Sequence, residues 1–484
     1  MRDRSHSSRL RARLGVCAAA GALVAFGAPA LVAGASSANN SNIVYTVHPI
    51  AIKMSQAVGS NSFPSPYDCI NQPIVPAPPT GQPQTVGLAC YTPQIFHQAY
   101  QIPWTINGAL AGTGTSVAII DAFGSPTIQS DLATYDSKFH LPAANLNVYY
   151  PEGQPNFNGG AAKSGNAFGW AEETSLDVET VHALAPGATI NLVVAPTNYG
   201  NALNNAVAYA VDNHLGDVLT MSYGSPEGAI AGGGNNIQFL QSNKIFQQAV
   251  NQGMSLFASS GDSGATGGLA QPNASYPASN PNVTAAGGTD LFVTGDTSPN
   301  GGGTYQSEYA WNDANPSTCP FNCNYGPFGA TGGAPSVLFG QPSYQADLTP
   351  TPARYTSDVS FNASVYTATM IYLGFLGAAN NGFYFFGGTS EASPSWAAIT
   401  ADLDQARGSD LGAMNPVLYN LASNPSTYAA DFHDVTVGSN AFPFGAPGYS
   451  AAMNWDPPTG LGTPIVSGLM NSLAPHASLG FSAP

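Results

Sequence analysis

Beyond residue 91 the chain alternates two hydrophobic rhythms. Short apolar runs stand at "TSVAIIDAF" (115–123), "TINLVVAP" (189–196), "DVLTMSYG" (217–224), "MSLFASSGD" (254–262) and "VTAAGGTD" (283–290), each bounded by Gly, Asp, Ser or Pro. Between them, helical periodicity covers roughly 127–138, 170–185, 199–214 and 234–252. Continuous apolar runs fit strands covered on both faces, and their alternation with helices predicts an α/β fold. The expected architecture is a doubly wound, mostly parallel sheet with helices on both faces. Ligand sites in such sheets lie at the carboxyl ends of strands. Asp121, Ser222 and Asp262 stand at such ends. Residues 291–385, rich in Gly, Asn and Pro, read as long surface loops and irregular strands.

The start of the chain follows other rules. "MRDRSHSSRLRAR" carries five arginines, an apolar run follows, and Ala33-Gly34-Ala35 fits a small-residue cleavage site. Residues 1–35 therefore read as a signal peptide, and the protein is expected to be secreted. No later run of about twenty apolar residues predicts a membrane span. Residues 36–90, rich in Pro, Ser and Asn, read as an N-terminal arm or short pro-segment, leaving 91–484 as the main domain. Without residues 1–35, six Lys/Arg face 26 Asp/Glu, a net charge near −20. That balance excludes generic binding to nucleic acid or anionic membranes. It also limits self-repulsion in acid, where carboxylates are neutral. Cys69, Cys90, Cys319 and Cys323 remain, an even number that suggests two disulfides in an exported chain. Nearest-neighbour pairing is the expectation among three possible connectivities. A monomer is expected.

Chemistry enters at "GGTSEASPSWAAITADL" (387–403), a glycine turn leading into a helix. Ser390 there is either a helix N-cap or a nucleophile exposed at a tight turn. A serine nucleophile needs an adjacent base. No histidine sits in a His-Gly turn entering a helix, and His182 and His214 read as ordinary satisfied or surface residues. The segment "GWAEETSLDVETVHALAPGA" (169–188) offers carboxylates instead. Glu173 and Asp177 are four apart, which stacks them on one helix face. Two close carboxylates share a proton, so Glu173 can serve as base with Asp177 holding it. Taken alone, such a pair is more often a solvated helix face. Glu172 points elsewhere and reads as solvated. In "ASSGDSGATGG" (258–268), Asp262 closes a strand. Protonated, it can donate to an oxyanion; its ordinary reading is an Asx turn.

Together, and in this order, these segments resemble the sedolisin family of serine-carboxyl peptidases over roughly residues 91–470. The motifs are Glu173-x3-Asp177, the Ser-Gly-Asp-Ser-Gly turn at 260–264, and Gly388-Thr389-Ser390-x3-Pro394. "YTPQIFHQAYQIP", "VAIIDAFGSPTI", "SYPASNPNVTAAGGT" and "TGGAPS" also look like the family. The resemblance implies a subtilisin-like fold and peptide-bond hydrolysis in acid on protein or peptide substrates. Ser390 would be the nucleophile, Glu173 the base, Asp177 its partner and Asp262 the oxyanion acid. Asp121 matches an acidic position behind the pair, and Tyr223 stands where some members have tryptophan. A carboxylate base titrating near 4 works where histidine is already protonated.

The resemblance also implies a calcium site in "DFHDVTVGSN" (431–440) and "AAMNWDPPTGLGTP" (451–464). Asp434 and Asp456 would supply carboxylates, and Val435, Ala452 and Asn454 backbone carbonyls, to a Ca2+ ion. Glycines are usual where Ala452 and Asn454 stand. Members commonly carry a long prodomain, whereas only about 55 residues separate the signal peptide from the catalytic domain here. The leading expectation is an acid endopeptidase. An exopeptidase removing short N-terminal peptides, or an inactive surface-binding relative, are the alternatives.

Overall fold

The computed structural model describes residues 42–47, 49–53, 89–157, 166–295, 303–313, 329–349, 352–443 and 445–484. The signal-peptide reading, and the disulfide readings that need Cys69, Cys319 and Cys323, lie outside them.

The expected sheet forms. Its strands run in the order Gly303–Ala310, Thr284–Gly295, Ser255–Ser259, Val218–Met221, Ser116–Ala122, Thr189–Ala195, Asn145–Tyr149. Val359–Asn362 also pairs with Thr284–Gly295. All these pairings are parallel except that of Gly303–Ala310. Strand Ser116–Ala122 shows why its Val117–Ile120 run is apolar throughout. Val117 and Ile119 enter one core, Ala118 and Ile120 the other. Side chains alternate across a strand, so burial on both faces leaves no polar positions. Helices Asn166–Leu184 and Thr389–Arg407 contribute to the first core, and helices Gly200–Asp212 and Ile237–Asn251 to the second.

Two expectations change. Asn145–Tyr149 is an edge strand that the apolar pattern misses, because "NLNVY" is half polar and only partly buried. The described residues among 291–385 are not mainly surface loops. They complete the central sheet and build a second one from Ile50–Lys53, Gly382–Gly387, Thr367–Leu373 and Ala89–Tyr91. Trp311 and Phe361 there are fully buried. Glycine reflects close packing at this place: a Cβ on Gly288 would stand 2.6 Å from the Ala363 Cβ. In the arm, Ile43, Tyr45 and Ile50 are buried.

Candidate active site

Strand order reverses beside Ser116–Ala122, which lies between Val218–Met221 and Thr189–Ala195. Asp121 is on this strand, Ser222 follows Val218–Met221, and Asp262 follows Ser255–Ser259. Two helices bring the remaining groups. Asn166–Leu184 carries Glu173 and Asp177; Thr389–Arg407 carries Ser390 in its first turn.

Ser390 is not the helix cap. Gly388 holds that position, and no side chain caps the helix. Pro394 explains part of the local geometry. It lacks the N–H that would bond the carbonyl four residues back, so the Ser390 carbonyl has no ordinary helix donor. The Ser222 hydroxyl lies 3.3 Å from that oxygen and also 2.8 Å from Asp177 Oδ1. The Ser390 hydroxyl contacts the Ser222 carbonyl at 3.5 Å.

Glu173, Asp177 and Asp121 are all fully buried. The Glu173 carboxyl is raised well above its ordinary range, first by burial and then by the Asp177 charge; the Ser390 hydroxyl opposes this. Neither Glu173 oxygen completes a well-formed hydrogen bond. Burial and the Asp121 charge raise Asp177, and the Ser222 hydroxyl opposes. Burial pushes Asp121 up to about 7. A base titrating near 4 is therefore not what this environment provides. Crowded carboxyls keep a proton among them. Glu172 also departs from expectation. It is partly covered rather than solvated, and burial pushes it up to about 8.

Asp262 faces the same helix start. Its Oδ1 accepts from the Thr389 N–H at 2.8 Å and from the Thr389 hydroxyl at 2.6 Å. With Oδ1 fixed as an acceptor, a proton on this carboxyl belongs on Oδ2. Gly388 leaves room for that oxygen: at φ +127°, a Cβ there would approach Oδ2 to 3.0 Å. The roles of Thr389 and Ser222 escaped the sequence reading, although Thr389 belongs to a motif and Ser222 stands at a strand end. Ser222, Ser260, Asp262, Thr389 and Ser390 line one cleft of about 80 Å³, together with Thr46 and Val47.

The histidines have other work. His182 bonds the Pro142 carbonyl at 2.9 Å and lies 3.1 Å from Asp136. His97 stacks on Trp104 and bonds two backbone carbonyls. Among the described residues, no histidine bonds Ser390.

The residues expected to hold calcium also meet. Asp434 Oδ2 accepts from the Asn454 N–H at 3.0 Å, and Asp456 Oδ2 from the Ala452 N–H at 2.9 Å. Asp456 is buried; that burial and the Asp434 charge push it up to about 7. Asn454 takes φ +64°, the left-handed conformation for which glycine is usual and asparagine is the best substitute. Val435 is buried beside Asp434. Among the described residues no three His, Cys, Asp or Glu side chains cluster as a metal site. Two carboxylates completed by carbonyls are nonetheless an all-oxygen set that suits a hard cation.

Comparison with known proteins bears on the family and the fold. Residues 112–420 match the subtilase family. Kumamolisin of Bacillus sp. (strain MN-32) is 32% identical over 408 residues, covering 82% of this chain and 66% of its own length. Sedolisin of Pseudomonas sp. (strain 101) is 31% identical over 383 residues, covering 76% and 59%. Tripeptidyl-peptidase 1 of Rattus norvegicus is 26% identical over 331 residues, covering 62% and 51%. Among solved structures, Pseudomonas sedolisin, a serine-carboxyl proteinase complexed with two molecules of pseudo-iodotyrostatin, superposes with a TM-score of 0.65 at 27% identity. The match covers 82% of this chain and 100% of that one. This chain thus spans about half to two thirds of the length of these curated relatives.

Proposed function

The chain belongs to the sedolisin family within the subtilases, and from that premise we propose that it is a secreted serine-carboxyl endopeptidase acting in acid. One observation carries the reading. The Ser390 hydroxyl faces a buried carboxyl pair, with Asp262 held at the start of the same helix. In the proposed reaction Glu173 takes the Ser390 proton as Oγ attacks the peptide carbonyl carbon. Asp177 shares the charge and keeps Glu173 oriented. Asp262, protonated on Oδ2, donates to the developing oxyanion. The C–N bond breaks, Glu173 returns the proton to the leaving amine, and an acyl ester remains on Ser390. Water, deprotonated by Glu173, hydrolyses that ester.

A Ca2+ ion held by Asp434, Asp456 and the carbonyls of Val435, Ala452 and Asn454 would supply charge neutralisation to the C-terminal loops. No chemical step passes through it. A tripeptidyl exopeptidase is the second reading, favoured by relatives that carry that name.

The test is hydrolysis of a denatured protein across pH 3 to 8. Activity is expected below neutrality, absent in Ser390→Ala and nearly absent in Glu173→Gln, because an amide accepts no proton. Glu172→Gln should be mild. Full activity in Glu173→Gln would remove the proposed base.

A further inference from the structure

A second pair of buried carboxyls, which the proposed reaction does not use, stands behind the turn that presents Ser390. Asp290 lies on strand Thr284–Gly295, Asp313 follows strand Gly303–Ala310, and both are buried. Asp313 is tightly held. Its Oδ1 accepts from the Ser364 hydroxyl at 2.9 Å, and its Oδ2 from the Trp311 indole N–H at 2.7 Å. Asp290 is not: neither of its oxygens completes a hydrogen bond among the described residues. Burial, and then the Asp313 charge, raise Asp290 well above its ordinary range, while the nearby Ser364 hydroxyl opposes. Burial pushes Asp313 up to about 7, against the Trp311, Ser364 and Val365 donors. The other groups facing Asp290 are Glu308, Tyr309 and Tyr91, and none of them is a cation. Two carboxyls in one dry place with no cation to hold them share a proton.

Both side chains that Asp313 holds reach the turn. Ser364 follows Ala363, whose carbonyl accepts from the Gly388 N–H at 2.6 Å. A Cβ on Gly387 would stand 2.5 Å from the Val365 nitrogen and 2.6 Å from the Ala363 oxygen, so loop and turn meet backbone to backbone. Trp311 closes another side. A Cβ on Gly288 would stand 3.0 Å from Trp311 Cε3 and 3.3 Å from Thr389 Cγ2. Thr389 in turn gives its N–H and its hydroxyl to Asp262. We propose that Asp313 is a positioning residue for the turn at Gly388, acting through Ser364 and Trp311 to fix where Thr389 meets Asp262. The proton shared with Asp290 keeps the two carboxyls from repelling each other behind that turn. The effect on catalysis rests on the peptidase reading; the tie between the carboxyl pair and the turn does not.

The tie is read without catalysis in the full-length chain carrying Ser390→Ala and Asp262→Asn, which silences hydrolysis and the titration of Asp262. The Trp311 indole N–H and the Gly388 amide are followed by NMR from pH 4 to pH 9. Both signals should move with one midpoint above the ordinary carboxyl range. Adding Asp290→Asn should lower that midpoint on both by about one pH unit, since an amide adds no like charge. This arm needs no change at Asp313 itself. In the active chain, Asp313→Ala should lower kcat by about tenfold or more, with KM changed far less. Asp313→Asn, which keeps an oxygen for Ser364, should recover most of the loss. Rates are taken per Ser390 titrated by an acylating probe, so a smaller folded fraction does not count as a loss. A Gly388 amide that ignores the Trp311 titration, or an unchanged kcat in Asp313→Ala, overturns the inference. Joint titration in a parent chain that hydrolyses nothing would leave the tie standing and remove the peptidase reading.

Discussion

Ser222 and Asp177 are joined by a 2.8 Å hydrogen bond, and the same Ser222 hydroxyl lies 3.3 Å from the Ser390 carbonyl oxygen. One proton therefore has two acceptors. When Asp177 is ionised, the hydroxyl donates to it. When Asp177 carries a proton, the carboxyl can donate to Ser222 and release the hydroxyl toward Ser390. The protonation of the pair is thus linked to the backbone that carries the nucleophile.

Ser222→Ala removes the hydrogen bond that favours ionised Asp177. The coupled pair should then lose its proton at higher pH. The acid limb of kcat/KM is expected to move up by about one pH unit, with a roughly tenfold lower rate at acid pH. A pH–rate profile checks this. A limb that stays in place would show that Ser222 does not support the charged pair.

Asp262→Asn keeps a neutral donor at every pH. The Thr389 N–H and hydroxyl should select the amide oxygen for the Oδ1 position, leaving the NH2 group at Oδ2. The rate should drop by ~10²-fold or more, as for other oxyanion donors. Residual activity should extend to higher pH than in the parent, since no carboxylate forms there to repel the oxyanion. An unmoved alkaline limb would assign that limb to the Glu173–Asp177 pair.

The reach of the sequence differed by place. Strand Ser116–Ala122 was legible because burial on both faces leaves a continuous apolar run. The Glu173–Asp177 pair was legible because helical spacing alone places both groups on one face. Residues 291–295 and 359–362 were harder. Their Gly, Ser, Thr and Asn residues permit close backbone approach, and composition by itself does not separate close approach from a loop. The arm was illegible for another reason: its pairing to Gly224 uses backbone groups that every residue but proline possesses. Likewise, the titration of Glu173 depends on which carboxyls lie beside it, and Asp121 comes from a segment about fifty residues away.

Chelation should destabilise the protein near pH 6. Asp456, pushed up to about 7 by burial without the ion, would then take up a proton, and the cation that joins it to Asp434 would be lost. A fall in Tm of ~5 °C or more in excess chelator is expected, reversed by added calcium. An unchanged Tm would mean that the loop holds no ion. Lower pH is unsuitable for the measurement, because protons displace metal from carboxylates.

Stability should fall as pH rises. Burial raises Asp121, Glu308 and Asp313 to about 7 in the folded chain. Their unfolded values are near 4. The folded state therefore binds more protons between those limits. Stability from these groups is complete below about 4 and is lost as pH climbs through about 7. Tm measured from pH 4 to pH 8 should drop by ~5 °C or more. A Tm that rises over this interval would contradict the sign.

The arm's passage past Ser390 bears on how a substrate is measured out. An enzyme that counts three residues from a free amino group needs a wall at the third. The stretch 43–47 runs alongside the cleft before the nucleophile, and Ile50–Lys53 continues beyond it. Under the endopeptidase reading proposed above, a cleft without such a wall would have no ruler; cut positions would follow side-chain fit, and fragment lengths would scatter instead of stepping in threes.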